Sequence, residues 1–100
     1  MRIALLREGG LAGTRLATSV DTEKLPPDQR SEIERLAMES GFFEIDQQDE
    51  DAGPDEFRYT ITVERPDGTA RTLSFRDRSL PRSLRPLIAR LRAVAPLSPK

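Results

Sequence analysis

Carboxylates, lysine and tyrosine are the side chains left to do chemistry in a chain of 100 residues that has no histidine and no cysteine. Without those two residue types there is no disulfide, no zinc site of the Cys/His kind, no thiol nucleophile, no Ser-His-Asp triad and no imidazole base. A carboxylate pair for acid–base work could be drawn from Glu44, Asp46, Asp49 or Glu50. The stretch 46–56, however, contains no apolar side chain larger than alanine. Such a segment cannot bury itself, so it reads as a flexible acidic loop with no pocket to shift a carboxyl pKa. It also lacks the alternating acid ligands, central glycine and terminal glutamate of a calcium-binding loop. The other candidate is Gly9-Gly10-Leu11-Ala12-Gly13-Thr14. A phosphate cradle requires a lysine after the last glycine and a helix next, whereas here a strand pattern follows. Gly10-Leu11-Ala12-Gly13 matches the bare glycine loop of KH domains, but that loop joins helices and this one joins strands. The expectation is therefore a chain that is not an enzyme and carries no cofactor or metal.

The elements that must position this loop follow from patterning. Residues 2–7 and 14–20 alternate weakly, with Ile3 and Leu5 on one face and Leu16, Thr18 and Val20 sharing a parity, which predicts a hairpin. A two-residue Gly9-Gly10 turn pairs Ile3 with Leu16, and a wider loop from Glu8 to Gly13 pairs Leu5 with Leu16; both registers keep the apolar faces together. Pro26-Pro27-Asp28 marks a helix start, Ile33, Leu36, Ala37 and Ser40 follow helical spacing, and Gly41 stands where a C-terminal glycine stops a helix. Phe42 and Phe43 then supply one or two rings to the core. Phe57, Tyr59, Ile61 and Val63 alternate with polar residues as a strand, Pro66-Asp67-Gly68 supplies a turn, and Leu73 and Phe75 lie on the returning strand. Leu84, Leu87, Ile88 and Leu91 recur at helical spacing, with Pro81 and Pro86 confined to the start of that helix and Pro96 and Pro99 ending it. The predicted fold is α+β: a single two-layer domain over 1–100, a four-stranded antiparallel sheet with two helices on one face in the order ββαββα, and a disordered tail at 96–100.

Size and charge point the same way. One domain this small has little depth for the clefts that enzymes build, which favours an interaction module. The near-neutral net charge of -1 hides an asymmetry: 21–56 carries 13 acids against 3 bases, and 71–100 carries 8 bases against 1 acid. The basic C-terminal part reads either as a surface for an acidic partner or nucleic acid, or as a solvated helix face opposite an acidic neighbour. The second is favoured because no aromatic interleaves the arginines. The first apolar stretch is too short before Arg7 for a signal peptide, so a cytoplasmic protein is expected, bound to no membrane.

Several segments, in order, resemble a known family. These are Met1-Arg2-Ile3, Arg7-Glu8-Gly9-Gly10-Leu11-Ala12-Gly13, Val20-Asp21-Thr22, Leu25-Pro26-Pro27, Ser40-Gly41-Phe42-Phe43, Phe57-Arg58-Tyr59 with Thr62-Val63, and Leu84-Arg85-Pro86-Leu87. Together they are similar to the emfourin-type proteinaceous inhibitors of bacterial thermolysin-like zinc metalloproteases, over nearly the whole chain. Leu11 stands where an aromatic such as phenylalanine is associated with the family; the exchange keeps bulk and apolarity and bears on affinity and target choice. The resemblance implies a small cytoplasmic inhibitor, monomeric when free, whose partner is a thermolysin-like metalloprotease and not nucleic acid. The implied partner-binding residues are Arg7, Glu8, Gly9, Gly10, Leu11, Ala12 and Gly13. Asp67 and Gly68 of the second turn join them if both hairpins point the same way. Such proteases favour a bulky apolar side chain just after the cut bond, so Leu11 could fill that pocket and Glu8 could face the zinc or nearby cations. The alternative is that Gly9 and Gly10 merely close a hairpin and Leu11 packs on the sheet end. The rival function is a regulatory module that binds an acidic partner or nucleic acid through the basic C-terminal helix.

Overall fold

The computed structural model describes residues 1–46 and 56–99. Among them, strands β1 (Arg2–Gly9) and β2 (Thr14–Asp21) lead into helix α1 (Pro27–Glu39). Strands β3 (Phe57–Glu64) and β4 (Ala70–Arg76) then lead into α2 (Arg85–Val94) and a short β5 (Ser98–Pro99). The strands form one antiparallel sheet in the order β4-β3-β1-β2-β5. It has five strands where four were expected. The additional one is cut from the tail expected to be disordered: Ser98 and Pro99 pair with Ala17 and Leu16 at the edge of β2. Proline is tolerated there because an edge strand has one side free of ladder bonds.

Alternation fixes which face each strand buries. Ile3, Leu5, Val20, Tyr59, Ile61, Val63, Leu73 and Phe75 point to one side and meet Ile33 and Ala37 of α1 and Leu87, Ile88 and Leu91 of α2. Both helices therefore cover the same face. Pro27 and Pro86 sit in the first turns of α1 and α2, where the missing N–H costs nothing, and Gly41 follows α1 at φ 66°. Phe42 is buried, and Phe43 meets it edge-on at 5.7 Å while remaining half-buried. Of the segment read as a flexible acidic loop, 47–55 lies outside the described residues. Glu56 is held in place, as shown below.

Register departs from both expected pairings. Ile3 stands opposite Val20, Leu5 opposite Thr18 and Arg7 opposite Leu16, with the ladder continuing to Gly9 and Thr14. The slip from either expected register is an even number of residues, so every side chain keeps its face and the hydrophobic pattern had no power to choose. What chooses is the turn: Gly9 stays in the ladder, and only Gly10-Leu11-Ala12-Gly13 leaves it.

Candidate functional site

The Gly10–Gly13 loop is a four-residue turn closed by a hydrogen bond from the Gly13 N–H to the Gly10 carbonyl at 3.1 Å. Gly9, Gly10 and Gly13 have φ of 99°, 77° and 62°, while Leu11 and Ala12 lie on the ordinary side, as the central pair of a type I turn does. The glycines bend the chain on either side so that two L-residues form the tip. Leu11 is 94% exposed, the most exposed large apolar side chain among the described residues. The alternative in which Leu11 packs on the sheet end is thereby overturned.

The loop rests on the start of β3, which lies beside β1. Gly10 N–H donates to the Glu56 carbonyl at 3.1 Å. A side chain at Gly9 would meet that same carbonyl at 2.5 Å, and one at Gly10 would meet the Phe57 ring at 2.8 Å. Here glycine serves close approach as well as turning. Phe57 is clamped from its other neighbour: the Arg7 guanidinium lies 4.5 Å from its ring centroid. Arg7 continues the inward stripe of Ile3 and Leu5, so a cation must lie on the helix-side face of the sheet, and the ring gives it a partner. Glu56 is fastened by Arg78 at 2.7 Å.

Sequence reasoning missed Glu56, Phe57 and Arg78 as parts of this site. Phe57 was read only as a strand residue, and Glu56 was absorbed into an acidic run. The one available signal was the parity of Arg7, a charge placed where an apolar residue belongs.

The remaining expected residues divide. Glu8 lies on the opposite face of β1 from Arg7 and pairs with Arg15 across the hairpin at 3.5 Å, so its charge is directed along the sheet and not at the loop tip. Ala12 and Gly13 are exposed beside Leu11. Asp67 and Gly68 are not in this site. Because β3 runs antiparallel to β1, with Phe57 opposite Gly9 and Glu64 opposite Arg2, the β3–β4 turn projects from the other end of the sheet. The two tips are separated by the length of β1, roughly 25 Å for 8 residues. The condition that both hairpins point the same way is not met.

That far end holds its own features. Asp67 accepts from the Thr69 hydroxyl at 2.6 Å and the Thr69 N–H at 2.8 Å, bonds that hold its carboxyl below the usual aspartate range. A shallow cleft of about 400 Å³ lies nearby, lined by Met1, Met38, Phe43, Arg65 and others, with the Arg65 guanidinium 3.7 Å from the Phe43 centroid. Glu34 and Arg30 also line this cleft, and the fully buried Thr22 places its hydroxyl 2.6 Å from Glu34; that hydroxyl and Arg30 keep the Glu34 carboxyl below its ordinary value. The basic helix, in turn, faces an acidic neighbour: Arg90 of α2 lies 2.9 Å from Glu32 of α1.

A model of the family described as Emfourin matches residues 5–92, which takes in the loop, its β3 support, α1 and most of α2. The chain belongs to the Emfourin family. No curated protein and no solved structure matches it. Emfourin is an inhibitor family, so membership implies a protein that binds rather than one that catalyses, and it is consistent with a protease as partner. In this Emfourin-family chain, the braced loop leaves Leu11 exposed at its tip.

Proposed function

We propose that this chain inhibits a bacterial thermolysin-like zinc metalloprotease by inserting the Gly10–Gly13 loop into the active-site cleft. In this reading Leu11 occupies the pocket that takes the side chain following the cut bond. The observation that carries it is a leucine left 94% exposed at the tip of a loop whose every bend is fixed by glycine and by the start of β3. An apolar side chain held in water gains on the order of 1.5 to 3 kcal/mol when a pocket buries it. A loop already in its bound shape loses little further conformational freedom on docking, so most of that gain survives as affinity. Family membership is consistent with a protease-inhibitor role.

Glu8 is assigned no zinc contact here, because its carboxylate is turned toward Arg15 on the sheet face. Asp67 and Gly68 are left out of the contact, since a cleft that receives the Leu11 tip faces away from them. The test is a titration of purified protein into a thermolysin-like protease assay. Stoichiometric loss of activity is expected; full activity at large excess of the chain would reject the proposal.

A further inference from the structure

If Leu11 fills the pocket after the cut bond, as proposed above, the bond presented for hydrolysis is Gly10–Leu11, and an inhibitor must keep that bond whole. We propose that Gly13 is the positioning residue that does so, by holding the Gly10 carbonyl inside the turn. Hydrolysis of this bond would join a water oxygen to the Gly10 carbonyl carbon, break the C–N bond to Leu11 and leave the proton on the Leu11 nitrogen. That attack needs the Gly10 carbonyl oxygen free to be polarised by the enzyme and the backbone extended through the cleft.

Neither condition holds. The Gly10 oxygen accepts the Gly13 N–H at 3.1 Å, and the Gly10 N–H donates to the Glu56 carbonyl at 3.1 Å, so both polar groups of this residue are engaged. Its φ of 77° is on the opposite side of the map from an extended strand, whose φ is roughly −120° to −140°. To become a substrate, Gly10 must release two hydrogen bonds and rotate its backbone out of the left-handed region. Leu11 can enter a pocket without any of this, because its side chain already stands clear of the protein. The turn thus separates binding from cleavage.

Gly13 offers a clean way to test the separation. A side chain there would meet nothing within 4 Å, so substitutions act through backbone preference alone, at a φ of 62°. Valine is strongly disfavoured at that φ, and asparagine is tolerated. Wild type, Gly13→Val and Gly13→Asn are each incubated with thermolysin, and the products are denatured and weighed. Wild type and Gly13→Asn are expected to stay intact, while Gly13→Val is nicked between residues 10 and 11 about tenfold faster or more, the shift that strain at a positive φ gives. Equal nicking of all three, or a Gly13→Val chain that remains uncut, overturns the inference while leaving inhibition by wild type standing. A wild type that does not inhibit removes the functional reading itself. Amide exchange in the wild-type complex reads the same point without any variant. The Gly13 N–H is expected to stay as protected as in the free protein, and its loss of protection on binding would also overturn the inference.

Discussion

The molecule contains two hairpins of the same kind pointing in opposite directions, and their tips are built on different principles. The β3–β4 turn closes on itself: Asp67 spends its carboxylate on Thr69, and a side chain added at Gly68 would meet open space. The β1–β2 loop has its own closing bond from Gly13 to Gly10 but is also braced from outside, by the Glu56 carbonyl and the Phe57 ring, and it leaves an apolar residue exposed to water. A turn that satisfies itself needs no neighbours and advertises nothing. A loop braced by a third strand can hold an unsatisfied side chain at a fixed place, which is what a rigid binding surface requires.

The largest expected effect separates the two tips by function. Leu11→Ala removes the proposed anchor, and anchors of this kind cost about 2 to 4 kcal/mol when truncated, on the order of 30-fold or more in the inhibition constant. The unfolding midpoint should not move, since Leu11 touches none of the core. Asp67→Ala should leave inhibition unchanged. An inhibition constant that moved equally in both variants would break the comparison, because the contact would then have to reach both ends of the sheet.

A smaller effect separates them by construction. Alanine at Gly10 takes on both a positive φ and a clash with Phe57, for roughly 1 to 2 kcal/mol of backbone strain and about 1 to 3 kcal/mol of overpacking. Alanine at Gly68 meets only the first cost, about 1 kcal/mol. Urea unfolding of the two variants reads the difference directly. Equal losses would mean that the Phe57 ring yields freely and that the brace is no brace. If the clash is the cause, Gly10→Ala and Phe57→Ala combined should cost less than the sum of the two separate losses.

How much of this was legible in the sequence depends on how far the deciding interaction lies along the chain. Alternation in β3, the glycine after α1 and the prolines opening both helices are local signals, and each element stands where its pattern puts it. That Leu11 stands in a turn between glycines was legible for the same reason, whereas its exposure was left open against packing on the sheet end. Register was not, because an even slip between β1 and β2 preserves every face. The opposed direction of the hairpins was not either, because it follows from β3 returning antiparallel beside β1, a long-range pairing that neither turn specifies. Nor could Glu56 be picked from an acidic run as the residue whose carbonyl receives Gly10. Thr22 is a lone hydroxyl after a strand, with no periodicity to announce that it is wholly buried.

Thr22 also gives the finest of the three tests, at the end of the sheet away from Leu11. The Glu34 carboxyl is held below its ordinary value first by the Thr22 hydroxyl and then by Arg30, and the Asp67 carboxyl by Thr69. A carboxyl depressed in the folded state contributes stability that is present above its unfolded pKa and lost as pH falls through the folded one. Stability should therefore decline as pH drops below about 4, the ordinary carboxylate range. Thr22→Val removes the hydroxyl while keeping the shape. With the Glu34 side chain 28% exposed, Arg30 and water can take over part of the bond, so the loss near pH 7 should be about 1 kcal/mol. The acid decline should flatten at the same time, because Glu34 then titrates closer to its unfolded value. Urea midpoints measured from pH 7 down to about pH 3 check both effects. A Thr22→Val curve running parallel to wild type would refute the assignment of the hydroxyl as the main cause. Inhibition at neutral pH should be untouched by this change, and a weakened inhibition constant would show that the two ends of the sheet are coupled after all.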